Sequence, residues 1–141
     1  MSLCVFVDTS AFYELTDPNE RRHDDAVAIL TKLEDQHAEL LTTTFVLAES
    51  YGLAVLRFGS GKALAFLAGL RNSKTMKIIS ASDQDLFRAE SILARYSDQD
   101  FSYVDAVSFA VIERLRIRRA FTFDKHFAVF RPSTAPLVLN D

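Results

Sequence analysis

The sequence predicts an α/β domain, a parallel sheet with helices on both faces. Short apolar runs rich in β-branched and aromatic residues alternate along the chain with longer segments of helical period. That alternation is the pattern of parallel strands joined by helical crossovers. The first three runs lead into Asp, Ser or Thr residues able to cap a following helix. Finally, 141 residues at 49% hydrophobic content hold one sizeable core, and four glycines and three prolines leave no linker. Residues 1–141 therefore read as a single domain.

The elements follow in order. Residues 3–7 are a buried strand closed by Asp8, and Asp8-Thr9-Ser10 caps a short helix to about Leu15. Thr16-Asp17-Pro18-Asn19 breaks the chain before an amphipathic helix over 20–35, with Ala26, Ile29, Leu30 and Leu33 inward. Residues 39–42 form a second strand, and Thr43 or Thr44 caps a helix over 45–58 that is apolar nearly all round and so expected to be deeply packed. Gly59-Ser60-Gly61 turns the chain into a helix over 62–70, and 75–80 is the third strand. Ser82 and Asp85 form a capping box for a helix to about Tyr96. A polar loop leads to an apolar helix over 101–117. Residues 120–123 are the fourth strand, 124–127 a turn or short helix, and 137–139 the last strand, behind Pro132 and Pro136.

Composition excludes several classes. No apolar run approaches the roughly 20 residues of a membrane span. The opening MSLCVFVD lacks a basic region and reads as a strand, not a signal peptide. The lone Cys4 has no internal disulfide partner, which suits a reducing cytoplasm. A net charge of −3 argues against nucleic acid unless several acids gather around a metal.

Four acids stand out. Asp105 lies among Tyr103, Val104, Ala106, Val107 and Phe109, and Glu49 among Phe45, Val46, Leu47 and Leu53, neither with a cation at helical spacing. Asp8 and Asp124 follow the first and fourth strands. Each has a local explanation: Asp8 and Asp124 as N-caps, Asp105 in a capping box with Ser102, Glu49 on a narrow solvent stripe. In open parallel sheets, however, ligands bind beyond the carboxyl ends of the strands, where Asp8, Asp124 and Glu49 belong; Asp105 is the awkward case, because its helix precedes its strand and follows the third strand only through an additional helix. Two carboxylates about 6 Å apart repel by roughly 3 kcal/mol at an effective dielectric of about 20. A divalent cation removes the conflict, and oxygen ligands favour Mg2+ or Mn2+ over zinc. His23, His37 and His126 are scattered; none forms a ligand pair with another His or with Cys4, and none is well placed as a general base. A hard ion with open positions is the apparatus of phosphodiester hydrolysis.

The segments VFVDTSAF, TTFVLAES, DFSYVDAVSFAV and AFTFDKHF, in that order, resemble the four acidic motifs of the PIN-domain nucleases, and most closely the small VapC-type toxins of bacterial toxin-antitoxin pairs. The resemblance runs to about Phe130. It implies a three-layer fold on a five-stranded parallel sheet. It further implies cleavage of RNA with Mg2+ or Mn2+, a homodimer, and inhibition by a cognate antitoxin. Asp8, Glu49, Asp105 and Asp124 would be the metal-binding acids, supported by the hydroxyls of Thr9 or Ser10, Ser102 and Thr122. The alternative is a PIN-like module that grips RNA or a partner without cutting, its acids serving only as caps.

Other features weigh less. Gly59-Ser60-Gly61-Lys62 is no phosphate loop, because Leu56 and Ala63 stand where that motif needs Gly and Ser or Thr, and a helix precedes it. Ser10 stands where a haloacid-type phosphatase needs a second Asp, and Ser80 and Ala81 where a receiver domain needs its own. Arg114, Arg116, Arg118, Arg119 and Lys125 are the candidate RNA phosphate track, with a solvated helix end as the plainer reading. Phe12, Tyr13, Tyr51, Phe58 and Phe66 fit a core or a dimer interface better than base stacking. Exposed aromatics on the second to fourth helices would suit an antitoxin groove.

Overall fold

A computed structural model describes residues 3–140. Five strands, β1 (Cys4–Val7), β2 (Glu39–Thr43), β3 (Met76–Ile79), β4 (Arg119–Phe121) and β5 (Val138–Leu139), form one sheet in the order β3-β2-β1-β4-β5, and every pairing is parallel. Between them run α1 (Thr9–Thr16), α2 (His23–Asp35), α3 (Thr44–Phe58), α4 (Ser60–Asn72), α5 (Asp83–Arg95), α6 (Tyr103–Arg114) and the single turn α7 (His126–Val129). The chain grows outward from β1 through β2 and β3, then returns to place β4 on the other side of β1. The carboxyl ends of β1 and β4 thus flank the point where the winding reverses, the place where such sheets bind ligands.

Strand alternation divides the core. Val7, Leu40, Met76 and Phe121 face a side roofed by α1, α2 and α4, where they line an apolar cavity of about 450 Å³ with Phe12 and Phe66. Phe6 faces the other side, where its ring meets Phe127 with centroids 6.5 Å apart. There Phe109 of α6 lies 4.8 Å from Phe127, 4.5 Å from Phe130 and 5.0 Å from Phe101. Eight consecutive residues of α6, Asp105 to Ile112, are buried. This explains a helix with no polar face: α6 is a central element of that layer. Truncating Phe109, which is fully buried, to Ala would cost about 3–5 kcal/mol.

The boundaries depart from the sequence reading for local reasons. α2 starts at His23 instead of Glu20, because Asp17 accepts the Asn19 N–H at 2.9 Å and Lys62 Nζ at 2.8 Å and holds the preceding segment as a turn. Gly59 alone, at φ +90° and ψ 167°, joins α3 to α4, a conformation that suits glycine, and α4 begins at Ser60 instead of Lys62. α6 ends at Arg114, short of Ile117, with Arg116 at φ +56° turning the chain toward β4. β4 ends at Phe121, so Thr122, not Asp124, is the first residue past it. The deep packing expected of α3 is corrected: Val46, Leu47, Ser50 and Ala54 are buried, but Leu53 and Leu56 are exposed, Leu56 at 86%.

Candidate active site

Asp8 leaves β1 with its backbone N–H still donating to Phe121 O of β4 at 3.0 Å, and it caps α1. Its Oδ2 accepts the Ser10 hydroxyl at 2.8 Å, the Ser10 N–H at 3.3 Å and the Thr122 hydroxyl at 3.0 Å. The same hydroxyls bind the segment after β4: Ser10 Oγ accepts the Phe123 N–H at 2.8 Å, and Thr122 Oγ1 accepts the Asp124 N–H at 3.0 Å. Asn140, just past β5, holds Thr122 in turn, accepting its N–H at 3.0 Å and donating to its carbonyl. Three strand ends are therefore tied into one network beneath the carboxylates.

Asp105 enters from α6. Ser102 Oγ accepts the Asp105 N–H at 2.9 Å and Asp105 Oδ2 accepts the Ser102 N–H at 3.1 Å, so the capping box is real. It also aims the carboxylate at the sheet edge. His126 Nδ1 lies 3.3 Å from both Asp105 Oδ2 and Asp124 Oδ1, and the His126 N–H donates to Asp124 Oδ1 at 2.9 Å. One ligand atom from each of Asp105, Asp124 and His126 falls within 4.8 Å of the others, a spacing that could share a metal ion. His126, set aside in the sequence as one of three scattered histidines, thus stands beside two of the acids. Its signal was the two-residue spacing from Asp124, which lets the Asp side chain accept the His126 amide.

Charge is held here against its own preference. Burial pushes the Asp8 carboxyl up to about 6, past the lowering by the Ser10 and Thr122 hydrogen bonds, and the Asp105 charge adds to the rise. Burial likewise raises Asp105, with the Asp124 charge reinforcing it against the Ser102 N–H and His126. No Lys or Arg pairs with Asp8, Glu49, Asp105 or Asp124 among the described residues.

These acids share a cleft of about 340 Å³ whose walls include Asp8, Glu49, Asp105 and Asp124. Asp8 and Glu49, the latter half-buried on α3, line it outside the tight group of Asp105, Asp124 and His126. Thr9 lines the cleft, and its buried hydroxyl has no partner among the described residues. The basic run lies elsewhere. Arg114 donates to Asp85 through Nε at 2.7 Å and Nη2 at 2.9 Å, so it is not a free phosphate ligand. Arg116, Arg118 and Arg119 sit at the amino end of β4, away from the edge that carries the acids, and only Lys125 of the set adjoins the site. Arg22, which the sequence reading passed over, lines the cleft. It sits in a turn more than a hundred residues from Asp124, so no local pattern could have joined them.

The PIN domain family model matches residues 5–131, and the chain belongs to the PIN-domain family. Among its relatives it is 30% identical over 124 residues to the 23S rRNA-specific endonuclease VapC20 of Mycobacterium tuberculosis, spanning 88% of this chain and 92% of that one. It is 30% identical over 129 residues to a VapC ribonuclease of Archaeoglobus fulgidus, 90% of this chain and 81% of the relative. The crystal structure of Mycobacterium tuberculosis VapC20, described as a Sarcin-Ricin loop cleaving toxin, superposes with a TM-score of 0.78 at 29% identity, covering 89% of this chain and 93% of that one. VapBC2 from Rickettsia felis shares the fold, with a TM-score of 0.72 at 14% identity over 97% of this chain and 98% of that one. Within the family the chain stands with the VapC-type ribonuclease toxins. No helix among the described residues is long and apolar enough to cross a membrane.

Proposed function

We propose that this chain is a divalent-metal-dependent endoribonuclease and the toxin of a VapBC-type pair, with Asp8, Asp105 and Asp124 holding the ion and Glu49 reaching it directly or through water. One observation carries the metal reading. Each of the three aspartates gives one oxygen to protein donors, Asp8 Oδ2, Asp105 Oδ2 and Asp124 Oδ1. The other oxygen of each meets no donor among the described residues. Carboxylates gripped by one oxygen and bare at the other fit a hard cation better than they fit an empty cleft. Mg2+ or Mn2+ would supply charge stabilisation to the phosphate and lower the pKa of a coordinated water.

The protein's own part is positional. Ser10 and Thr122 fix Asp8, Ser102 fixes Asp105, and the His126 amide fixes Asp124. In hydrolysis a water oxygen bonds to phosphorus while the bond from phosphorus to one ribose oxygen breaks, and that oxygen leaves as a hydroxyl. His126 holds an N–H or a lone pair against Asp105 and Asp124, depending on its tautomer. The substrate of the Mycobacterium tuberculosis relative makes 23S rRNA the first RNA to try. A cognate antitoxin belongs to the same proposal, and so does a homodimer, for which exposed Leu56 and Leu64 offer apolar surface.

A second reading rests on the caps. Asp8 and Asp105 do cap α1 and α6, which is all that a non-catalytic RNA-binding module would ask of them. Cleavage of a ribosomal RNA pool by wild-type protein in Mn2+ or Mg2+, beside EDTA and the Asp8→Asn variant, separates the two. Metal-dependent cutting lost in the variant supports the nuclease. No cutting, together with no heat on calorimetric titration with Mn2+, supports the module.

A further inference from the structure

The cleft walls carry five carboxylates, Asp8, Glu14, Glu49, Asp105 and Asp124, and one arginine, Arg22. Electrostatics would have that guanidinium fold onto the nearest acid. Elsewhere in this molecule arginines do so: Arg114 pairs with Asp85, Arg88 with Glu113 and Arg57 with Glu20. Arg22 forms no ion pair among the described residues, and its only hydrogen bond to a side chain there is from its backbone N–H, to Glu14 Oε2 at 3.3 Å. Its guanidinium instead lies over the face of Phe123, 5.2 Å from the ring centroid. A cation–π contact of this kind holds the guanidinium beside the ring without using its N–H donors.

The platform is itself fixed. Phe123 immediately precedes Asp124, and its N–H donates to Ser10 Oγ, the hydroxyl that also donates to Asp8. The network that positions the acids therefore positions the ring on which Arg22 rests. A cation kept unpaired in a cleft of anions awaits an anion from outside.

We propose that Arg22 binds a phosphate of the RNA strand, the guanidinium fork taking the non-bridging oxygens on the side away from the acids. This rests on the proposed function and adds a substrate contact to it. A planar fork matches a phosphate's paired oxygens, whereas the lysine ammonium is a point charge.

The test is equilibrium binding of a fluorescein-labelled single-stranded RNA oligonucleotide across a salt series, with Ca2+ replacing Mg2+ and RNA integrity checked on a gel. Arg22 is exposed, so Arg22→Met should fold normally by circular dichroism. Arg22→Met is expected to weaken binding about tenfold and to shrink the slope of log K against log salt by about 0.7, one phosphate contact on a single strand. Arg22→Lys should recover the slope but only part of the affinity, and Mn2+ affinity by calorimetry should stay within about twofold of wild type. Unchanged affinity and slope in Arg22→Met, while wild type binds, overturns this inference alone. So does a rise in Mn2+ affinity with RNA binding intact, which would make Arg22 only a counterweight to the acids. A wild-type protein that binds no oligonucleotide overturns the inference and the proposed function together.

Discussion

The molecule contains the same device twice. Ser82 and Asp85 open α5, and Ser102 and Asp105 open α6, each with the serine hydroxyl accepting the aspartate N–H and the aspartate Oδ2 accepting the serine N–H. Both aspartates are buried, at 2% and 7% exposure. Their surroundings divide them. Burial favours the neutral form of Asp85, but the Arg114 fork and the Ser82 donors outweigh it and hold that carboxyl below its ordinary range. Asp105 meets Asp124 and His126 where Asp85 meets a guanidinium, and burial, reinforced by the Asp124 charge and only partly offset by Ser102 and His126, holds it above its range. Local geometry is thus equal in the two, and the identity of the partner from a distant element makes one a structural ion pair and the other part of the candidate site. A buried carboxylate without a cation is the better mark of function.

The largest expected break in the comparison is in activity. Asp105→Asn should lower RNA cleavage by about 10³-fold or more, as losses of transition-state charge stabilisation do, with the far-ultraviolet circular dichroism spectrum unchanged. Asp85→Asn should leave cleavage within a few-fold in the same gel assay. Full activity in Asp105→Asn would remove that residue from the mechanism. Stability should respond in the reverse order: Asp85→Ala strands Arg114 and removes the aspartate half of the α5 capping box, costing about 2–4 kcal/mol by urea unfolding.

The pH dependence should carry opposite signs. The Asp8 pKa near 6 exceeds its unfolded value, so the folded state binds the proton more tightly. Its contribution is fully present below the unfolded pKa and is lost as pH rises through about 6, up to about 3 kcal/mol in metal-free protein. Asp85, lowered by folding, contributes above its unfolded pKa, and that stability is lost as pH falls below it. Urea unfolding in EDTA between pH 4 and pH 8, on wild type and Asp8→Asn, checks the first; the same series carried down to about pH 2, on wild type and Asp85→Asn, checks the second. Added Mn2+ at about 100 times its Kd should stabilise wild type by about 2.7 kcal/mol and leave Asp105→Asn nearly unmoved, read as a shift in melting temperature.

The smallest effects sharpen the comparison most. Ser82→Ala and Ser102→Ala should each cost about 1 kcal/mol in urea, because the two caps are alike. Only Ser102→Ala should also slow cleavage, several-fold, because only its aspartate faces the cleft. Equal cleavage by the two variants would sever the cap from the site.

Much of this was legible in the chain. Five strands were recognisable because short runs rich in apolar and β-branched residues, bounded by turn or capping residues, are local patterns, and six helices of more than one turn because caps and periodicity are local too. Asp8, Glu49, Asp105 and Asp124 could be singled out because charge inside an apolar helix or at a strand end is a local anomaly. Both capping boxes are short patterns too, though only the chemistry of the second was in question.

Tertiary structure alone decided what each charge meets. Arg114 belongs to Asp85, twenty-nine residues back, and so leaves the phosphate track the sequence suggested. His126 joins Asp105, twenty-one residues away, and Arg22 comes to rest on Phe123 across the sheet edge. α3 looked fully apolar yet leaves Leu53 and Leu56 in solvent, since burial depends on what packs opposite. Hydrogen bonds within a turn follow from neighbouring residues. The pairing of charges across the fold does not, because it depends on which strand ends the winding brings side by side.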